Sequence, residues 1–143
     1  MPRFLGFDHI DSRVQNLARV EAFYDRLLPW LGMSARKYVR VEGDVWTYVS
    51  RDEYYNTVEY VEEATDGGAP RFFGVIEDPQ SVPSHTRIAF RVATGTDLKE
   101  AAAFVESMGA RNVEISEEPD SYPAVFFEDP LGARFELLAE RRK

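Results

Sequence analysis

The sequence predicts an α+β fold built from two β-α-β-β-β modules. Three observations carry that prediction. Short runs alternate as strands do, two helical stretches each end at a glycine, and the elements follow the same order in both halves of a 143-residue chain. In the first half, Phe4 to Val14 reads as a strand, with Ile10, Ser12 and Val14 on one side and Phe7, His9, Asp11 and Arg13 on the other. Asn16 is placed to cap a helix that carries Leu17, Val20, Phe23, Tyr24, Leu27, Leu28 and Leu31 at helical spacing. Pro29 should end or kink that helix, and Gly32 suits a left-handed stop. Met33 to Glu42 and Val45 to Ser50 read as strands around a turn at Glu42-Gly43-Asp44. Arg51 to Gly68 is ambiguous between a further strand and an irregular excursion. Arg71 to Glu77 (RFFGVIE) reads as a strand, and Asp78 to Ser84, with two prolines, as a connector.

The second half repeats the order. His85 to Val92 reads as a strand. Asp97-Leu98-Lys99-Glu100 fits a capping box, Leu98, Ala101, Ala102, Phe104, Val105 and Met108 make an apolar stripe, and Gly109 gives the stop. Arg111 to Ser116, Tyr122 to Glu128 and Ala133 to Ala139 read as strands, with a turn at Asp129-Pro130-Leu131-Gly132. HIDSRV at 9–14 and RIAFRV at 87–92 share Ile, Arg and Val at an offset of 78, a trace of duplication. The expected layout is one domain over 1–143, with module one at 4–77, a connector at 78–84 and module two at 85–139. A helix covers one face of each sheet, so the other faces must be buried or form a cavity.

Composition removes several classes of function. With 17 Lys+Arg against 25 Asp+Glu the formal charge is −8, unfavourable for a phosphate backbone, so no nucleic-acid partner is expected. The absence of cysteine excludes disulfides, thiolate metal sites and a cysteine nucleophile. No run of 18 apolar residues occurs, and Met1-Pro2-Arg3-Phe4 does not open a secretory signal; the expectation is a cytoplasmic protein without a membrane partner. Gly67-Gly68 lacks the pattern of a phosphate-cradling loop, and no nucleophile elbow is present.

The segments FDHIDSRV, FYDRLLPWLGM, RIAFRV and DPLGARFELL resemble the vicinal oxygen chelate superfamily, which includes glyoxalase I, bleomycin-resistance proteins and extradiol dioxygenases. The resemblance spans nearly the whole chain. It implies paired βαβββ modules forming a cupped, partly closed mixed sheet, often in a homodimer. It also implies four metal-ligand positions, filled here by His9, Phe73, Arg87 and Glu136. Two of the four keep a ligand-type side chain.

His9 and Glu136 are the residue types a divalent ion uses. His85 lies two residues before Arg87, about 6.6 Å along a strand, so it would need a bulge to join them. Arg87 offers a different solution, a guanidinium in place of the cation, forked onto the Glu136 carboxylate. Trp46, Tyr48, Phe73 and Tyr122 are expected to line an apolar ligand pocket with His9, Arg87 and Glu136. Phe73 is expected to face inward, with Phe72 and Ile76 against the helix. The expected function is binding of a small aromatic or anionic ligand without a cofactor. The alternative is a lyase resembling glyoxalase I, or a dioxygenase, using Zn, Ni, Mn or Fe through His9, Glu136 and His85.

Overall fold

The computed structural model describes residues 1–63 and 68–140. The elements run β1 (His9–Val14), α1 (Leu17–Trp30), β2 (Ala35–Glu42), β3 (Val45–Val49), β4 (Thr57–Val61), β5 (Phe72–Glu77), β6 (Arg87–Val92), α2 (Leu98–Ser107), β7 (Arg111–Ile115), β8 (Ala124–Glu128) and β9 (Arg134–Ala139). They form a five-stranded sheet, β1-β5-β4-β2-β3, and a four-stranded sheet, β6-β9-β8-β7. This is the α+β class predicted from sequence. The chain groups into two compact units, Met1–Leu17 with Leu28–Ser81, and Ala18–Leu27 with Val82–Lys143. The division after Ser81 falls inside the proline-bearing connector.

In the first unit β1 pairs parallel with β5, and the β5-β4, β4-β2 and β2-β3 pairs are antiparallel. Two expectations are corrected here. The opening strand starts at His9 rather than Phe4, and Phe4, Leu5 and Phe7 are exposed. The first sheet also has one strand more than the expected four: the ambiguous segment contributes β4, in the middle of the sheet, with all five residues buried. The remainder of that segment includes residues 64–67, Gly67 among them, which lie outside the described residues.

The second unit repeats the pattern with one strand fewer. Its β6-β9 pair is parallel, as β1-β5 is, and β9-β8 and β8-β7 are antiparallel. The counterparts are therefore β1 with β6, β5 with β9, β4 with β8 and β2 with β7. The edge strand β3 belongs to the first module alone.

Local chemistry sets the helix ends. The Leu17 N–H, one of the orphan donors of the first turn of α1, donates to Glu77 Oε2 at 2.9 Å. At the other end the N–H groups of Leu31 and Met33 both donate to the Leu28 carbonyl, and Gly32 turns the chain at φ +97°. Pro29 is accommodated in the last turn, and the helix stops one residue later. The Asp97 side chain accepts from the Glu100 N–H at 3.0 Å, as a cap should.

The middle of α1 belongs to the second unit. There Phe23 packs near Phe127, with centroids 6.4 Å apart, and Tyr24 meets Phe135 edge-on at 6.0 Å. The Tyr24 hydroxyl donates to Asp129 Oδ2 at 2.6 Å, and both residues are fully buried. The other oxygen of Asp129 accepts the N–H groups of Leu131 and Ala133, which closes the turn between β8 and β9. One buried side chain thus fixes both the turn and the helix lying on the sheet.

Candidate functional site

Cross-strand register decides which side chains share a face, because alternate residues of a strand point to opposite sides. In the first sheet His9 lies opposite Phe72, and Asp11 lies opposite Gly74. Gly74 in turn pairs with Glu59, and Glu59 with Lys37. Val39 pairs with Tyr48 and Val41 with Trp46, so these residues continue the same face towards the edge. The face therefore carries His9, Asp11, Glu59, Lys37, Tyr48 and Trp46. The opposite face holds Val14, Val58, Tyr60, Phe73 and Val75, all buried.

His9 stacks on Phe72 with centroids 4.4 Å apart. Its Nδ1 lies 2.7 Å from Asp8 Oδ2, and its Nε2 lies 3.8 Å from Asp11 Oδ2. The hydrogen bond to Asp8 raises its pKa above the usual 6.5, burial opposes the rise, and the charges of Asp11, Asp8 and Glu59 add to it. Glu59 is 5% exposed, and its Oε1 accepts from the Tyr48 hydroxyl at 2.9 Å. That hydrogen bond holds the Tyr48 phenol above its usual range, with burial and the Glu59 charge acting in the same direction.

Phe73 requires a correction. It is 1% exposed and lies on the face opposite His9. Its neighbour Phe72 is the residue beside His9, the reverse of the expected phase. Register also identifies the counterpart of Glu136 in the first sheet. Arg87 pairs with Arg134 as His9 pairs with Phe72, and two residues on, Ala89 pairs with Glu136 as Asp11 pairs with Gly74. The counterpart is thus Gly74, which has no side chain. A Cβ there would come 2.6 Å from Asp11 Oδ1, so the glycine is what lets the Asp11 carboxylate lie over β5.

In the second sheet Glu136 is 5% exposed, and its Oε1 accepts from the Tyr122 hydroxyl at 2.6 Å. Tyr122, just before β8, stacks on Phe126, with rings 6.4 Å apart and 6° from parallel. The Arg87 guanidinium sits over the same Phe126 ring, 4.9 Å from its centroid. Phe126 is the register partner of Glu136 on β8. The expected fork between Arg87 and Glu136 is therefore replaced by two other contacts, a cation–π stack for the arginine and a tyrosine hydroxyl for the acid. His85 is exposed and precedes β6. Trp46 and Tyr48 are exposed on edge strand β3.

The donor set does not fit a metal of the kind the sequence resemblance implies. Gly74 offers no donor atom and Arg87 offers only hydrogen-bond donors that are already cationic. Among the described residues, no three His, Asp or Glu side chains converge as a metal-ligand group.

Sequence reasoning missed Glu59, Asp11, Gly74 and Phe126. A signal existed for Gly74, since an isolated glycine within a strand marks a close approach of another group. None marked Glu59, an acid inside a fully buried strand.

Two parallel-headed sheets of nearly matching strand order, each with a tyrosine-held glutamate, define a duplicated α+β module protein. The chain belongs to the Glyoxalase/Bleomycin resistance protein/Dioxygenase superfamily, which it matches over residues 6–137. No functionally curated protein matches it in sequence. Solved structures share the fold. A putative glyoxalase from Bacillus halodurans is 18% identical with a TM-score of 0.61, covering 93% of this chain and 94% of that one. A glyoxalase/bleomycin resistance protein from Albidiferax ferrireducens T118 is 18% identical with a TM-score of 0.60, covering 94% and 98%. A mutant of the fosfomycin resistance protein FosX from Listeria monocytogenes, complexed with Mn(II) and 1S,2S-dihydroxypropylphosphonic acid, is 14% identical with a TM-score of 0.55, covering 95% and 90%.

Proposed function

We propose that this protein binds a small aromatic or anionic molecule without a metal. One observation carries the reading. Arg87 is exposed and stacked on Phe126, and among the described residues no carboxylate pairs with it. A guanidinium held by an aromatic face keeps its hydrogen-bond donors for a ligand carboxylate or phosphonate, while Phe126 and Tyr122 offer ring surface. A homodimer is part of the proposal, on the grounds of the family resemblance.

The test is calorimetric titration with phenylphosphonate in the presence of a chelator. Binding that survives chelation and weakens roughly tenfold or more in Arg87→Ala supports the reading. Binding that needs added metal, or that Arg87→Ala leaves unchanged, refutes it.

A second reading is a metal-dependent lyase or dioxygenase, for which His9 and Glu136 are the retained ligand-type residues. The retention of those two side chains and the Mn(II) in the Listeria relative favour it. Elemental analysis and thermal shifts with Zn²⁺, Ni²⁺, Mn²⁺ and Fe²⁺ decide it, because an ion that binds only the native state raises apparent stability. A large shift abolished by His9→Ala would establish this reading over the first.

A further inference from the structure

We infer that the first sheet carries a binding subsite of its own, in which Glu59, held by Tyr48, receives a cationic nitrogen on a small aromatic molecule. This goes beyond the anion reading and stands on the first unit alone.

The two sheets place their acids differently. In the second sheet the acid is Glu136 on β9 and its cross-strand partner on β8 is Phe126. In the first, the equivalent pair is Gly74 on β5 and Glu59 on β4. The carboxylate has moved one strand over. In both sheets the acid is 5% exposed and one of its oxygens accepts a tyrosine hydroxyl. The first module therefore keeps an acid–tyrosine pair, on a different strand from the one the duplication leads one to inspect.

The environment of Glu59 selects for a donor. Its Oε1 takes the Tyr48 hydroxyl, and among the described residues Oε2 has no hydrogen-bond partner. Oε2 keeps access to solvent, so an incoming ligand N–H group can reach it and replace water with a charge-assisted hydrogen bond. Lys37 is the register neighbour that would be expected to pair with it. Its ammonium lies over the Tyr48 ring instead, 5.6 Å from the centroid. On the far side Asp11 leans over Gly74 and brings a second carboxylate to the same face, with His9 Nε2 3.8 Å from it. Three carboxylates, Asp8, Asp11 and Glu59, thus gather near the Lys37 ammonium, leaving the local balance negative. The ring surface comes from Tyr48 and from Trp46 two residues away, 64% and 44% exposed, and aromatic faces attract cations. An ammonium attached to a phenyl group meets both features.

Trp46 reports on the subsite directly. The chain has two tryptophans, so a Trp30→Phe background leaves Trp46 as the single fluorophore. The probes are phenethylamine and 2-phenylethanol, which differ in the cationic nitrogen, titrated at one fixed ionic strength. Phenethylamine should bind roughly tenfold more tightly than the alcohol, as a charge-assisted hydrogen bond allows. Glu59→Gln should abolish that preference, and Tyr48→Phe should reduce it. Circular dichroism verifies folding; should Glu59→Gln not fold, Tyr48→Phe decides. Equal binding of amine and alcohol overturns the inference. So does a preference that survives Glu59→Gln, or one lost only in Asp11→Asn. A protein that takes phenethylamine through Glu59 but ignores phenylphosphonate supports this inference and refutes the anion reading; the reverse result refutes this inference alone.

Discussion

Replacing Tyr24 by phenylalanine removes one oxygen from the fully buried interior of the second unit. That oxygen donates to Asp129 Oδ2 at 2.6 Å, and both residues are 0% exposed. The ring stays, so its edge-on contact with Phe135 and its neighbour Phe23 are kept. The loss is therefore the hydrogen bond and the desolvation of the orphaned carboxylate oxygen, without a cavity term. A hydrogen bond to a charged group contributes about 1.5–3 kcal/mol net, so Tyr24→Phe should cost about 2 kcal/mol. For a chain of this length that corresponds to a fall of roughly 6–8 °C in Tm. In urea the midpoint should drop by about 1 M at an unchanged slope, given a slope of about 2 kcal/mol/M. Tyr54→Phe is the control, because Tyr54 is 66% exposed and its hydroxyl is replaced by water; it should stay within about 0.5 kcal/mol of the parent. A Tyr24→Phe protein as stable as the Tyr54→Phe control would refute the claim that this buried bond ties α1 to the β8–β9 turn.

Two further outcomes concern the first sheet, beside the ligand tests of Arg87 and Glu59 given above. Asp8→Asn removes the main cause of the raised His9 pKa, so the imidazole titration followed by NMR should move down towards 6.5. Because that pKa is raised in the folded state, the pair's contribution to stability is full below about 6.5 and is lost as pH rises through the folded value; Asp8→Asn should flatten stability against pH in that window. Gly74→Ala should change stability by no more than about 1 kcal/mol, since alanine favours a strand over glycine and the atom in its way is the mobile end of a side chain. It should nevertheless turn Asp11 away from β5 and alter the His9 titration; an unchanged titration would show that Asp11 has no hold on His9.

The helices were legible because their signals are local. The stripe from Leu17 to Leu28, the left-handed Gly32 and the Asp97 cap each act within a few residues, and all three are observed. The second module was legible for a related reason. Its strands alternate, and one face packs on Tyr24 and Phe23 of α1 through Phe127 and Phe135. The strand β4 was not legible because its five residues, TVEYV, are all buried and show no alternation to read. Phe4 to Asp8 carries apolar residues in a strand-like order, yet Phe4, Leu5 and Phe7 remain exposed. Composition alone did not show that the first strand begins only at His9, with residues 4–7 outside both sheets among the described residues.

The site was read less well than the fold because it depends on phase. In RFFGVIE two phenylalanines stand side by side, and either satisfies an apolar position in a strand. A slip of one residue moves every side chain to the other face. The pairing of Gly74 with both Asp11 and Glu59 settles the phase: Phe72 and Gly74 share the face of His9, and Phe73 lies behind them. That same register explains why an apparently missing acid was not recovered. At the position matching Glu136 the last strand of the module offers only Gly74, because the carboxylates near that point arrive from the strands on either side, Asp11 from β1 and Glu59 from β4. Glycine at 74 and aspartate at 11 are consequently one feature rather than two, since a Cβ at 74 would meet the Asp11 oxygen at 2.6 Å. Chemistry on a sheet face is set by neighbours across strands, and comparison along a single strand loses it.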